Sequence, residues 1–477
     1  LDAVTTELAG DSLAAQKEIS PDQRAFLDRV VALYRDFGEE KGDDVETRVR
    51  TAAAARRVGV IENRLGRYRE SLADCQSAYD LFDAIRRDRP DDPRHRFNVA
   101  RAAADLSVAL FRIGKHAESE SVMRATVALS EGLVGEFPDN LTYRGALAGD
   151  QRKLASQLIM MGESEQGIRH LDRAAELFAA LAAAKPGENA YLEGLAVCHN
   201  SRASYYANER RFAVAAEESR KAQEIRRRLF GANPNDMRRR FDVAFAEANL
   251  GQILKQTGEL SEAVKWKRSA VAEFEKLMAE FPSEPGHAEG CATACLNLAI
   301  DLGERGDRAG EESLLLKSVG ILERLAEKPG APPENAVDLA GAYCNLAIYL
   351  RERGKPDAGV PFLDKGIDRL DAVLKADPRF VKAKSFLVHS LCARARAADA
   401  ADRHAAGLAD WDRALSMSAP AERPLRRADR SMEFLGRAVK SGFADARLLA
   451  NDADLASLRD RVDFKALLRS MPSESSR

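Results

Sequence analysis

Few residues in this sequence have the types and spacing that catalysis requires. The tripeptide Asp36-Phe37-Gly38 matches the motif whose aspartate binds magnesium in phosphotransfer enzymes. No glycine-rich loop, strand lysine or His-Arg-Asp loop precedes it, and no phosphate-binding GxxxxGK[ST] run occurs in the chain. The tripeptide also lies in a helical pattern. We therefore interpret it as a chance match and predict that this chain has no catalytic residues.

Metal chemistry and nucleophilic chemistry have equally weak candidates. Cys291 and Cys295 are four residues apart and would share one helical face, which is half of a metal site. No third ligand lies nearby, none of the six cysteines forms a CxxC pair, and the seven histidines are scattered. We therefore predict buried, reduced cysteines, no metal site and no cofactor.

The strongest pattern in the sequence is a period of 48 residues. Turn-forming positions recur with this spacing at Gly66, Gly114, Gly162, Arg210, Gly258, Gly306, Gly354 and Asp402. Prolines recur with the same spacing at Pro90, Pro138, Pro186, Pro234, Pro282 and Pro378. A repeated pair of helices explains both series. Because each unit of such an array packs only on its neighbours, a chain of 477 residues needs no single large core.

Small residues occupy fixed places relative to these turns. We number positions from the turn, so that −7 lies seven residues before it. Positions −7 and +12 hold only Gly, Ala, Ser or Thr, and position +5 is small in every repeat except at Glu311. Position −8 is large and apolar except at Arg202 and Arg394. Small side chains let helices approach closely, so these columns predict the crossing points of a helical hairpin.

The run Asn249-Leu250-Gly251, followed by Leu254, Gly258, Ala263 and Ala270, resembles the tetratricopeptide repeat. The usual period of that repeat is 34 residues, so each helix here would be about two turns longer. The resemblance implies an all-α fold, a right-handed α-solenoid of elongated hairpins.

The two ends of the chain differ from the repeats. Apolar residues at Phe26, Val30 and Val31 predict an amphipathic helix that caps the first repeat. We predict an N-terminal capping segment and linker over 1–44 and a C-terminal cap over 418–472. Eight repeats would occupy 45–417, and 473–477 would be a disordered tail.

In tetratricopeptide arrays the first helix of each hairpin lines the concave face. The resemblance therefore implies a partner-binding groove at positions −10, −6, −3 and −2, where the side chains are Arg56, Arg64, Arg112, Arg152, Asn200, Asn208, Gln252, Lys255, Gln256 and Arg351. Arginine and amide groups together favour an acidic or extended peptide. The clamp that binds chaperone tails is absent, because Val60 stands where an asparagine is needed. A solvated helix face is the alternative interpretation.

Two arginine triplets form a second candidate. Residues 226–228 and 238–240 are all arginine, and they bracket the linker at Pro234. They could hold an acidic partner. The alternative is that they are solvated helix ends, since cations are favoured near a helix C-terminus.

A wider resemblance covers the whole chain. Glu-Phe-Pro linkers at 136–138 and 280–282, the opening run 1–6 and the closing run 463–468 are similar to the C-terminal half of planctomycete-type bacterial Ser/Thr protein kinases. In that family a kinase domain, often with a transmembrane helix, precedes the repeats. The resemblance implies that this chain is the non-catalytic part of such a polypeptide, and a start at leucine agrees with a fragment.

Composition weighs against several other classes of function. The net charge of −2 gives no overall attraction to nucleic acid or to an anionic membrane. No stretch approaches the ~20 apolar residues that span a bilayer. With reduced cysteines, these features predict a cytoplasmic chain, the alternative being the extra-cytoplasmic part of a membrane-anchored kinase.

These observations favour a non-catalytic scaffold that binds a protein or an extended, acidic peptide. The alternative is a ligand-sensing regulatory module that controls an attached kinase or other effector domain. An open polar groove favours the scaffold, whereas an enclosed apolar pocket favours the sensor.

Overall fold

The computed structural model describes residues 21–38, 44–234, 236–282, 284–328, 331–401, 403–418, 423–440, 446–451 and 453–471. These residues form twenty α-helices and one short 3-10 helix, and the described part of the chain contains no strand. The predicted all-α solenoid of helical hairpins is confirmed.

One capping helix, α1 (Pro21–Gly38), precedes eight hairpins. The first helices of the hairpins are α2 (Val45–Arg64), α4 (Pro93–Arg112), α6 (Leu141–Met160), α8 (Asn189–Asn208), α10 (Met237–Gln256), α12 (Pro285–Glu304), α14 (Pro333–Glu352) and α16 (Val381–Ala400). The second helices are α3 (Tyr68–Asp88), α5 (His116–Glu136), α7 (Ser164–Ala184), α9 (Phe212–Ala232), α11 (Leu260–Glu280), α13 (Arg308–Ala326), α15 (Pro356–Ala376) and α17 (His404–Met417). The chain closes with α18 (Arg423–Lys440), α19 (Ala446–Asn451), the 3-10 helix (Ala453–Leu458) and α20 (Val462–Ser470).

The turn inside each hairpin needs a residue in the left-handed region. Six turn glycines have φ between 73° and 89°, and Arg210 has φ of 58°. In the first hairpin the N–H of Arg67 donates to the Glu62 carbonyl at 2.9 Å, which closes the end of α2. Glycine adopts this conformation without a Cβ clash, which explains its recurrence at the turn. Asp402 lies outside the described residues.

The small residues at −7 and +5 meet where the two helices of a hairpin cross. In the second hairpin Ser107 and Ser119 each donate a hydroxyl to the other's carbonyl, at 2.9 and 2.7 Å. In the fifth, a Cβ on Gly251 would lie 3.0 Å from the Ala263 carbonyl oxygen and 2.6 Å from the Lys267 Cγ. A larger residue at these crossings would push the helices apart.

The exception at Glu311 is accommodated by a glycine on the facing helix. A Cβ on Gly303 would lie only 2.5 Å from a Glu311 carboxylate oxygen. Because Gly303 at −3 has no side chain, there is room for the large side chain of Glu311 at +5.

Polar residues fix the open ends of the hairpins. The side chains of Asp92 and Asn140 accept hydrogen bonds from backbone N–H groups in the first turns of α4 and α6, at 2.9 and 3.0 Å. Ion pairs join −18 to +22, for example Arg48 to Asp88 at 2.6 Å. These contacts define where each hairpin begins and ends.

The chain divides into two compact units, residues 1–287 and 288–477. In unit 1, Leu27, Val30 and Val31 of α1 pack against Val58 and Ile61 of α2.

In unit 2, Trp411 is fully buried between hairpins, and Leu449, Leu458 and Phe464 form a separate cluster after them. The boundaries at 44, 417 and 472 stay predictions, and 1–20 and 473–477 lie outside the described residues.

Candidate functional site: the first-helix face of unit 1

The predicted binding residues all lie on first helices. Arg56 and Arg64 are on α2, and Arg112 and Arg152 are on α4 and α6. The remaining residues of unit 1 lie on α8 and α10, namely Asn200, Asn208, Gln252, Lys255 and Gln256. Arg351 lies half-buried on α14, in unit 2.

We call the side of α2, α4, α6, α8 and α10 formed by positions −13, −10, −9, −6, −3 and −2 the first-helix face. Arg112, Asn208 and Gln256 at −2 are exposed, whereas Arg56, Arg152 and Asn200 at −10 are half-buried. The face therefore has a half-buried floor at −10 and an exposed edge near the turns. The geometry is consistent with binding along the face, and the set of binding residues stays a prediction.

Arg56 is already held by a partner in the next hairpin. Its Nη1 lies 2.8 Å from Oδ2 of Asp105, and the two side chains are 22% and 15% exposed. Asp105 occupies −9 on α4. This ion pair connects α2 to α4. Arg56 therefore already has a carboxylate partner within the chain.

A second carboxylate is buried beneath two cations. Asp150 on α6 is fully buried, and its Oδ2 accepts a hydrogen bond from the Ser130 hydroxyl at 2.9 Å. Its Oδ1 lies 3.7 Å from Nη1 of Arg101 and 3.9 Å from Nζ of Lys153. Burial raises the pKa of Asp150, while the charges of Lys153 and Arg101 and the hydrogen bond from Ser130 oppose that rise.

The ammonium of Lys153 lies among both kinds of charge. Desolvation lowers its pKa, the carboxylates Asp105 and Asp150 oppose the shift, and Arg101 and Arg152 reinforce it. Arg152 has no carboxylate within ion-pair distance among the described residues. Cations are therefore crowded here beyond what the two carboxylates compensate.

The charge imbalance extends over the first three hairpins. Helices α2, α4 and α6 together carry twelve Arg or Lys and four Asp or Glu. Their partners α3, α5 and α7 carry six Arg or Lys and twelve Asp or Glu. The first helices are thus cationic and the second helices anionic, although the net charge of the whole chain is only −2.

Sequence reasoning missed the residues at −13 and −9. Arg101 and Lys153 lie there in the cationic part, and Val197 and Phe245 occupy −13 on α8 and α10. The two added turns per helix were the signal, because −13 shares a face with −10 and −6.

The side-chain amide of Gln252 is held by a buried lysine. Its Oε1 accepts a hydrogen bond from Nζ of Lys267 at 3.0 Å, and Lys267 is buried. Gln252 itself is exposed, so its NH₂ group is directed by this contact and can still meet a partner.

The arginine triplets around Pro234 are largely engaged within the chain. Arg227 lies 2.7 Å from Glu247 and stacks over the Trp266 ring at 4.9 Å. Arg240 lies 2.7 Å from Glu273. Arg239 donates to the Leu229 carbonyl at 2.8 Å. These contacts favour a structural role over an acidic-partner site.

The other chemical candidates are unremarkable in their surroundings. All six cysteines are buried and form no disulfide, and burial raises the pKa of the Cys75 thiol to about 12 and that of Cys198 to about 11. Within the described ranges, no group of three or more His, Cys, Asp or Glu residues could hold a metal ion. Asp36-Phe37-Gly38 ends helix α1.

No protein-family model and no curated protein matches this sequence. The apo form of RapI is 14% identical, with a TM-score of 0.48, and the match covers 82% of this chain and 96% of that one. Aspartyl phosphate phosphatase F from Bacillus subtilis is 12% identical, with a TM-score of 0.46, covering 83% and 89%. A tetratricopeptide repeat protein from Parabacteroides merdae is 14% identical, with a TM-score of 0.35, covering 71% and 98%.

These similarities concern the helical-repeat fold and carry no information about binding. In the part of the chain that the structure describes, no helix has the length and apolar character needed to cross a membrane.

Proposed function

We propose that this chain is a non-catalytic protein-interaction scaffold whose first-helix face binds an extended, acidic peptide. The observation that supports this proposal most directly is the separation of charge in the first three hairpins. Twelve cationic and four anionic side chains lie on the first helices, and the opposite excess lies on the second helices. Such a field attracts an acidic partner to one side and repels it from the other.

The carboxylates on this face do not neutralise it. Asp105 is paired with Arg56, and Asp150 is buried, so neither meets a partner directly. Arg112 is exposed, and its guanidinium lies 6.0 Å from the centre of the Tyr68 ring, with no ion pair to a carboxylate in the part of the chain that the structure describes. Arg112 and Arg152 are therefore the side chains we expect to donate hydrogen bonds to the peptide carboxylates.

A binding titration tests the proposal. The probe is a fluorescein-labelled peptide of alternating glutamate and glycine, compared with its lysine counterpart. We expect the glutamate peptide to bind with an affinity that falls as salt rises, and the lysine peptide to bind far more weakly. An Arg112→Glu, Arg152→Glu double variant should bind the glutamate peptide about tenfold more weakly.

The matched control carries the same charge change on the second helices. Arg124 and Arg173 are exposed on α5 and α7, and each pairs with a carboxylate of its own helix. An Arg124→Glu, Arg173→Glu variant should keep the wild-type affinity. Equal losses in the two double variants, or no preference for the acidic peptide, would refute the proposal.

We further propose that the scaffold is the repeat region of a bacterial Ser/Thr kinase-type signalling protein and is cytoplasmic. The Glu-Phe-Pro linkers and the end segments support the first point, and six cysteines that form no disulfide support a reducing compartment. Sequencing the native polypeptide upstream of Leu1 tests the kinase context. A kinase domain there is the expected result, and an unrelated domain would contradict it.

A further inference from the structure

One row of the first-helix face changes its chemistry along unit 1. Position −13 is Ala53, Arg101 and Gly149 in the first three hairpins, then Val197 and Phe245 in the fourth and fifth. The row thus passes from small or cationic residues to large apolar ones. The apolar residues occupy places where the repeat does not bury its side chains.

The two apolar side chains are unusually exposed. Phe245 is 46% exposed and Val197 is 38% exposed, whereas Leu250 and Leu254 on the opposite face of α10 are fully buried. An exposed phenylalanine costs hydration free energy that burial against a partner would recover.

The ring of Phe245 is held by a rigid base. It stacks on Phe241 with ring centres 6.4 Å apart and planes 10° apart. Phe241 in turn contacts the buried rings of Phe274 and His287, at 5.4 and 5.8 Å. One side of the Phe245 ring is therefore fixed by packing, and its exposed area is preorganised for a ligand.

The cationic surplus is interrupted on α8, the helix on which the apolar row begins. Helix α8 carries a single arginine, Arg202, and a single acid, Glu193. Arg202 is paired with Glu218 and Asp172, at 3.2 and 3.4 Å. Asn200 lies on the first-helix face of α8, one turn from Val197. Its side-chain amide suits hydrogen bonds to a peptide backbone rather than to a charged group.

We infer that the partner is an acidic extended peptide that also carries an aromatic or large aliphatic anchor, and that the anchor binds at Val197 and Phe245. This inference rests on the proposed function and adds a second subsite to it. The occupant follows from charge complementarity, because the acidic part is drawn to α4 and α6, next to the apolar pair. Neighbouring first helices spaced about 10 Å apart, with about 3.3 Å per extended residue, place the anchor about three to six residues from the acidic stretch.

A pair of peptides tests the inference. Both contain the alternating glutamate and glycine sequence, and they differ in having Phe or Ala about five residues beyond it. Wild-type protein should bind the Phe peptide about tenfold more tightly than the Ala peptide. The Phe245→Gln variant should lose this preference while binding the Ala peptide as wild type does.

The control and a second variant keep the test decisive. Leu316 is 51% exposed on the second helix α13, so Leu316→Gln removes an exposed apolar side chain elsewhere and should leave the preference intact. Val197→Gln should reduce the preference independently if Phe245→Gln perturbs folding, which circular dichroism would reveal.

The failures of the two proposals are distinguishable. If the Ala peptide binds in a salt-sensitive way and the Phe peptide binds no better, the apolar subsite is refuted and the acidic-peptide function stands. If neither peptide binds, both the acidic-peptide function and the apolar subsite are refuted. Self-association of the wild type that is lost in Phe245→Gln would assign the apolar pair to a second copy of the chain and overturn the inference.

Discussion

Arg394 forms a two-point ion pair with Asp410. Its Nε and Nη2 donate to the two carboxylate oxygens at 2.8 and 2.7 Å, and its Nη1 donates to Asp364 of the preceding hairpin at 2.6 Å. Asp410 is buried, and this arginine supplies its counter-charge. Neighbouring hairpins of unit 2 are thereby joined by one side chain.

The same arrangement recurs in unit 1. Arg202 lies 3.2 Å from Glu218 and 3.4 Å from Asp172. Arg202 and Arg394 are the two exceptions in the large apolar column at −8, and in both cases the carboxylates stand at +8 of the same hairpin and +10 of the preceding one. An arginine in the apolar column is therefore compensated at fixed positions.

Removing one partner of the Arg394 pair should destabilise unit 2. Asp364→Ala leaves one carboxylate for the arginine, but Arg394→Leu leaves Asp410 buried without its cation and should cost about 2–3 kcal/mol in a urea melt. The double variant Arg394→Leu, Asp410→Phe reproduces the Leu346 and Phe362 pair of the seventh hairpin. It should be more stable than Arg394→Leu alone, and a double variant that is less stable would contradict the compensation.

The helix crossing in the fifth hairpin should reject even one methyl group. Gly251→Ala places a Cβ 3.0 Å from a backbone oxygen of α11, and we expect a loss of about 1–3 kcal/mol in the free energy of unfolding. Gly149 on α6 is the matched control, because its Cβ would meet no atom within 4 Å. Gly149→Ala should instead stabilise the helix by up to about 1 kcal/mol. Urea melts in which the two variants behave alike would refute the assigned crossing.

Arg210 should be replaceable by glycine with a gain in stability. Its φ of 58° is unfavourable for a residue with a Cβ, and the other described turns have glycine there. Arg210→Gly should raise the unfolding free energy by about 0.5–1 kcal/mol. Arg211 has a φ of −89°, so Arg211→Gly should not stabilise the protein and serves as the control.

Glu218 should make stability depend on pH below neutrality. Burial alone would raise the pKa of Glu218, but hydrogen bonds from His199 and Lys221 and the charge of Arg202 outweigh it, and the pKa lies below the ordinary 4.5. The carboxylate therefore stabilises the fold fully above pH 4.5, and that contribution is lost as pH falls through the lowered folded-state pKa.

Thermal melts between neutral pH and pH 3 would measure this contribution. Wild type should be more stable than Glu218→Gln above the unfolded-state pKa, and the difference should shrink on acidification. A difference in stability that grows as pH falls would show that folding raises the pKa of Glu218 instead of lowering it.

The period, the turns and the helix crossings could be predicted from sequence because each depends on a local requirement. A left-handed turn needs glycine at Gly66 or Gly258, and a close crossing needs a small residue at Ser107 or Ala263. Each requirement therefore selects the same residue types at a fixed spacing, which is visible in a single sequence.

The charge pairs and the exposed apolar row could not be predicted in the same way. The contact between Arg56 and Asp105 joins residues 49 apart, and its geometry depends on the register between two hairpins. Phe245 is of a residue type that usually lies in the core, and only the orientation of the lengthened helix places it at the surface. Both features depend on packing between elements, which residue spacing alone does not determine.

The most direct test of the acidic-peptide function is to locate the bound peptide. A glutamate-glycine peptide that carries a benzophenone group would be irradiated with the wild-type protein, and the cross-linked residues identified by mass spectrometry. We expect cross-links on the first helices α4 and α6, near Arg112 and Arg152, that disappear at high salt. Cross-links concentrated on the second helices α3, α5 and α7 would contradict the account.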